Sequence, residues 1–157
     1  MRMGIAMITL AASVLPMAAA QTLVADRLTQ SQLVEHAQQL TASALGPSGT
    51  ASAKLSEYPN HYTMIALRHK DGGAEIHANF ADFFLIVQGS ATLVTGGTVE
   101  GGKEQSPGEI RGGVVRNGTS MTLNPGDVVH IPATVPHQML VLDGSTFIYF
   151  VIKVKEK

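Results

Sequence analysis

The residues best suited to chemistry lie in two short segments that are far apart in the sequence. In the first, Glu75, His77 and Asn79 alternate with other residues, and Asp82 follows; in the second, His137 follows a proline-containing turn. Alternate residues of a β-strand share one face, so the first segment would present its polar side chains together. Imidazole and carboxylate groups on one concave sheet face can bind a divalent metal ion. Because the chain has no cysteine, nitrogen and oxygen must hold such an ion, which could be Mn, Fe, Ni or Zn.

The spacing of the second segment resembles a motif of the cupin superfamily, G-x5-P-x-G-x2-H-x3-N. Gly126, Pro132 and His137 match its first glycine, its proline and its histidine at the same spacing. Thr134 replaces the second glycine, and Val141 replaces the final asparagine.

The first segment resembles the other cupin motif, G-x5-H-x-H-x(3,4)-E-x6-G, more loosely. Asp82 and Gly89 fit its E-x6-G ending, with Asp in place of Glu. A four-residue gap then places His77 on the second histidine and Glu75 on the first. In a rival register His77 is the first histidine and Asn79 the second, but that register needs a gap one residue shorter than the motif allows.

The cupin resemblance covers residues 62 to 154 and implies an all-β fold, the double-stranded β-helix or jelly-roll barrel. In cupins the matched positions bind a metal ion inside a small barrel. The resemblance therefore implies a metal site formed by Glu75, His77, Asp82 and His137. Two histidines and a carboxylate already form a set that leaves coordination positions open for a substrate or dioxygen.

Five further residues are candidates for the walls of a pocket around this site. Asn79 and Gln138 could donate hydrogen bonds that orient a metal ligand. Phe84 and Ile86 share a strand face with the carboxylate of the first motif and would form apolar walls. His130 lies on the strand that leads into the second motif, but its apolar neighbours do not settle which face it occupies.

Short strands must position these residues. After residue 58, apolar runs alternate with turns rich in Gly, Asn and Pro, which predicts strands over residues 62–69, 75–80, 83–88, 91–95, 120–123, 128–131, 137–142 and 146–154. Short strands at such tight spacing are typical of an all-β sandwich or barrel. Residues 83–87 are apolar at every position, so we expect that strand to be buried on both faces.

The stretch from residue 96 to residue 120 is rich in glycine and charged residues, and it is too polar for a core. We interpret it as an excursion between two strands. It could be a lid over the mouth of a pocket, but a surface loop is the preferred interpretation.

The 157 residues fit one domain, preceded by a leader. Residues 1–20 combine Arg2, an apolar run and an A-x-A ending, the layout of a signal peptide. We expect cleavage after Ala20 and a secreted or periplasmic protein; a retained N-terminal anchor is the alternative.

Residues 21–57 would form a helix and linker, with a helical pattern over 22–45 and a capping box at Thr29 and Gln32. Residues 58–157 would form the barrel domain.

The net charge of −1 argues against a nucleic-acid partner. The chain has no G-x-S-x-G elbow, P-loop or H-E-x-x-H motif.

The leading hypothesis is a secreted, metal-dependent cupin that acts on a small organic molecule by dioxygenase, isomerase or lyase chemistry. The alternative is a non-catalytic periplasmic cupin that binds a small molecule. We expect no membrane association once the leader is removed, and a homodimer is compatible with the sequence.

Overall fold

The computed structural model describes residues 25–156, so the leader expected over residues 1–20 lies outside the described residues. The helices are α1 (Gln30–Gln38) and α2 (Thr41–Ala44). The strands are β1 (Thr50–Glu57), β2 (His61–Arg68), β3 (Glu75–His77), β4 (Phe80–Gln88), β5 (Ala91–Thr95), β6 (Thr98–Glu100), β7 (Lys103–Ser106), β8 (Glu109–Arg111), β9 (Val114–Arg116), β10 (Thr119–Leu123), β11 (Val128–Ile131), β12 (His137–Leu140) and β13 (Phe147–Lys155). Neither of these helices is long and apolar enough to cross a membrane.

The strands form two main antiparallel sheets. One has the order β1-β2-β13-β4-β11 and the other the order β10-β5-β12-β3-β8-β7, while β6 and β9 form a separate ribbon. An apolar core joins the two sheets, because its buried side chains come from both: Ala66, Phe84, Ile86, Phe147, Tyr149 and Val151 from the first, and Ala91, Leu93, Leu123 and Met139 from the second. The all-β jelly-roll expected from the sequence is confirmed.

The N-terminal helix begins later than the sequence pattern predicts. The predicted capping box is present: the Thr29 side chain accepts a hydrogen bond from the Gln32 amide, and the Gln32 side chain accepts one from the Thr29 amide. This box sets the helix start at Gln30, and residues 25–29 are not helical. Leu33 and Ala37 are buried in a second apolar cluster that includes Val87 and Ile148, so the helices cover the outer face of the five-stranded sheet.

Residues 50–57, expected to be part of a linker, form the edge strand β1 instead. Their small and polar side chains do not show the apolar alternation of a strand, because an edge strand buries only part of its surface.

The expectation that residues 83–87 are buried on both faces holds only in part. Val87 is buried beneath the helices, whereas Leu85 is 37 % exposed.

The 96–120 stretch is not a loop, and the preferred surface-loop interpretation is wrong. It folds into β6, β7, β8 and β9, and β8 pairs with β3 to extend the six-stranded sheet. The sequence does not show these four strands clearly, because glycines at the turns interrupt the alternation of apolar and polar residues. At Gly113, for example, φ is 68° and a Cβ would lie 2.1 Å from the Glu100 carbonyl oxygen.

Thr134 stands where the cupin motif has its second glycine, and the backbone explains the glycine. Its φ is 70°, in the left-handed region that β-branched residues avoid. Its amide donates a hydrogen bond of 2.8 Å to the His77 carbonyl oxygen and ties the turn before β12 to β3. The turn therefore holds a strained threonine next to the candidate site.

Replacing Thr134 with asparagine should stabilise the protein. The left-handed conformation costs an ordinary residue roughly 1–2 kcal/mol, and asparagine tolerates it better. We expect Thr134→Asn to raise the free energy of unfolding by about 1 kcal/mol in urea titrations. Thr134→Val keeps the branched Cβ and serves as the control; equal stability of the two variants would contradict this account of the turn.

Candidate metal centre

Three of the four ligands predicted from the sequence converge in one group, in which both histidines are buried and Glu75 is half-buried. Within residues 25–156, Glu75, His77 and His137 each offer a ligand atom, and these atoms lie within 4.8 Å of one another. Glu75 and His77 share a face of β3, and the antiparallel pairing of β12 with β3 places His137 opposite Glu75. The His77 and His137 ring centroids are 5.2 Å apart.

The hydrogen bonds of both imidazoles prepare them to bind a metal ion. His77 Nδ1 lies 2.6 Å from the Glu109 carboxylate, and His137 Nδ1 lies 3.1 Å from the Val135 carbonyl oxygen. A carboxylate and a carbonyl can only accept, so each Nδ1 donates, and a ring that carries one proton then has its lone pair on Nε2. His77 Nε2 is buried and has no hydrogen-bond partner among the described residues. A buried, unpartnered ring nitrogen in this position fits a metal ligand.

The protonation states also suit a metal site. Burial by itself raises the pKa of Glu75, but the interaction with His77 and the positive charges of Arg111 and Arg68 outweigh it and hold the pKa well below its usual range. Burial lowers the pKa of His137 more than the Val135 carbonyl and the nearby carboxylates raise it. At neutral pH the group therefore offers a carboxylate and a neutral imidazole.

Asp82, the fourth predicted ligand, is close to the group but is held by another residue. Its Oδ2 lies 3.5 Å from both His77 Nε2 and His137 Nε2. The Lys153 ammonium lies 2.6 Å from Asp82 Oδ1 and 2.7 Å from Oδ2. Lys153 lies outside both sequence segments that resemble the cupin motifs. The feature of the sequence that could have revealed it is a charged residue on the same face of β13 as Tyr149 and Val151, which are buried hydrophobic residues.

A cavity of about 420 Å³ lies beside the group, and Glu75, Asp82 and His137 form part of its wall. Phe84 lines the cavity, as its strand face predicts, whereas Ile86 is packed in the core between the sheets.

Three other pocket candidates lie away from the cavity, and their predicted roles need correction. Asn79 is exposed at the bend between β3 and β4, because residues 75–80 do not form one continuous strand. His130 is exposed on the outer face and stacks on Phe83 at 4.4 Å. Gln138 is buried, but it donates to the Gly72 carbonyl and accepts from the Val115 amide, so its role is structural.

The structure adds residues that the sequence analysis did not assign to the site. Strand β8 places Glu109 opposite His77 and Arg111 opposite Glu75, and Arg111 Nη1 donates to Glu75 Oε2 at 2.7 Å. Arg68 donates to the Tyr149 hydroxyl at 2.8 Å and to Glu75 at 3.4 Å. The alternation of Glu109 and Arg111 around an apolar residue was the available signal, but it lay in a stretch interpreted as loop.

We expect Glu109 to affect the metal affinity, although it contacts the ring of His77 and would not contact the ion. Removing a carboxylate that orients a metal-bound histidine typically costs about 10–100-fold in affinity. We expect Glu109→Ala to weaken Co²⁺ binding by about that factor in competition titrations. Glu100→Ala is the matched control, since Glu100 belongs to the same 96–120 stretch and pairs with the exposed Arg116. Equal affinities of the two variants would contradict the orienting role.

No family model matches the chain, and no curated protein does either. Solved structures match over most of its length. A protein with a double-stranded beta-helix domain from Klebsiella pneumoniae aligns with a TM-score of 0.57 and 13 % identity, over 83 % of this chain and 91 % of that one. The cupin domain of Cnp3 from Schizosaccharomyces pombe aligns with a TM-score of 0.51 and 11 % identity, over 68 % and 65 %.

The DMSP lyase DddQ from Ruegeria pomeroyi aligns with a TM-score of 0.50 and 16 % identity, over 68 % of this chain. This chain spans about half of that enzyme, since 47 % of it is covered. At these identities the similarity concerns the fold. The two facing antiparallel sheets and the structures they match lead to one conclusion: the chain has the double-stranded β-helix fold of the cupin superfamily.

Proposed function

We propose that this protein is a metal-dependent cupin enzyme that acts on a small organic molecule in the cavity beside Glu75, His77 and His137. The observation that carries the proposal is the convergence of two buried imidazoles with a carboxylate. Both imidazoles donate from Nδ1 to fixed acceptors, which leaves their Nε2 lone pairs for an ion.

The three side chains would hold a divalent ion, and such an ion acts as a Lewis acid toward a substrate oxygen or activates a bound water or dioxygen. The chain's own residues supply the surroundings. Glu109 and the Val135 carbonyl hold the two rings in one tautomer, and Arg111 keeps Glu75 ionised. The cavity volume of about 420 Å³ is within the usual range for small-molecule sites.

Dioxygenase, isomerase and lyase reactions are the chemistry we propose for this site. An ion with coordination positions left for the small molecule can support each of them, and two histidines with one carboxylate leave such positions. A solved neighbour with the same fold is a DMSP lyase, which is in keeping with the lyase class.

Elemental analysis of the protein after anaerobic purification tests the site. We expect one divalent ion per chain, and we expect His77→Ala and His137→Ala each to lower its affinity by more than about 100-fold, because each removes a direct ligand. His130→Ala is the matched control, since His130 lies on the outer face. Unchanged metal content in the first two variants would refute the site. Bound metal without turnover of sugar, oxo-acid and phenolic substrates would favour the non-catalytic alternative.

We also propose that the protein is exported and processed after Ala20. The support is the order of Arg2, an apolar run and an A-x-A ending within residues 1–20. After expression in a bacterial host, the secreted or periplasmic fraction should hold a chain whose N-terminal residue is Gln21, as read by mass spectrometry. Ala20→Leu should block cleavage, because the signal peptidase needs a small residue there. A full-length chain confined to the cytosol would contradict export.

A further inference from the structure

We propose that Lys153 is a positioning residue that holds Asp82 out of the coordination sphere of the metal ion. The ion would then bind three side chains, Glu75, His77 and His137, and its other positions would be open to the small molecule. This inference rests on the proposed metal site and concerns how many ligands the chain supplies to it.

The register of two strands brings Lys153 and Asp82 together. Strands β13 and β4 pair antiparallel with Lys153 directly opposite Asp82, so both side chains project from one face of the sheet. Both are buried, with 7 % of Lys153 and 2 % of Asp82 exposed. The ammonium donates to Oδ2 at 2.7 Å and lies 2.6 Å from Oδ1, which has no hydrogen-bond partner among the described residues. The oxygen that faces the two imidazoles, Oδ2, is therefore the one that the lysine holds.

Glu75 also has cationic partners, but its situation differs from that of Asp82. Arg111 donates to Oε2 at 2.7 Å, and Arg68 donates to Oε1 at 3.4 Å, which is the longer and weaker of the two contacts. The Arg111 side chain is 46 % exposed and can turn into water when an ion binds. Lys153 has no such route, because releasing Asp82 would leave a buried ammonium without a partner.

Repulsion reinforces this difference. A divalent ion that bound Asp82 would share the carboxylate with the ammonium, and two cations on one carboxylate repel each other strongly in a buried site. Asp82 Oδ2 lies 3.5 Å from both His77 Nε2 and His137 Nε2, so the Lys153 ammonium, rather than distance, would keep this carboxylate from the ion.

Co²⁺ titration of the full chain, stripped of metal with a chelator, tests the inference. Binding would be followed by calorimetry and by the visible absorption of the ion. We expect Glu75→Gln to weaken the Kd by more than about 100-fold as a lost ligand, and Asp82→Asn to weaken it by less than about 10-fold, through the uncompensated Lys153 charge alone. We expect Lys153→Met to tighten binding by at least about 10-fold, and to change the absorption spectrum, because the freed carboxylate becomes a fourth ligand.

The double variant Asp82→Leu with Lys153→Met guards against a misfolded single variant. It removes both charges, and replacing a buried ion pair with apolar residues is commonly tolerated. We expect it to bind Co²⁺ with a Kd within about 3-fold of the unaltered chain and with the same spectrum.

Two results would overturn the inference while leaving the metal site standing. One is a loss of affinity in Asp82→Asn, or in the double variant, as large as that in Glu75→Gln. The other is an unchanged Kd and spectrum in Lys153→Met. Equal Co²⁺ binding by the unaltered chain and Glu75→Gln would instead refute the proposed function, so the two failures are distinguishable.

Discussion

The register between antiparallel strands is the constraint on which the candidate site depends. Three pairs of interacting side chains lie directly opposite each other across strands: Glu75 and Arg111, His77 and Glu109, and Asp82 and Lys153. A slip of one residue in either pairing would turn one member of each pair to the other face. It would also leave buried charges without partners, which is among the most costly changes a protein interior can undergo.

This constraint explains why so many ionisable groups lie inside a small barrel. Asp82, Lys153 and Arg68 are all buried, and each has a partner of opposite charge or a hydrogen-bond acceptor. Pairing keeps the charges inside, and the apolar core that joins the two sheets holds the strands in register around them. Stability and the preparation of the site therefore rest on the same strand contacts.

The 96–120 stretch shows how a segment that looks peripheral in the sequence can complete a site. Its strand β8 pairs with β3 and carries Glu109 to His77 and Arg111 to Glu75. Without this strand the His77 ring would lack the acceptor that sets its tautomer. Glycine-rich turns make the stretch resemble a loop, but backbone pairing with β3 decides its structure.

The sequence by itself determined the strand-rich architecture and pointed to most residues of the candidate site. Period-two alternation and turn residues act locally, so the strand-rich fold, the capping box at Thr29 and the face shared by Glu75 and His77 could all be predicted. The resemblance of the segment around His137 to a cupin motif pointed to the second half of the candidate site. Only the tertiary structure decided which groups are partners. The pairing of Lys153 with Asp82 and of Glu109 with His77 depends on contacts between strands that are distant in sequence. The position of Asn79 depends on the bend between β3 and β4, and that of His130 on which face of the sheet is covered.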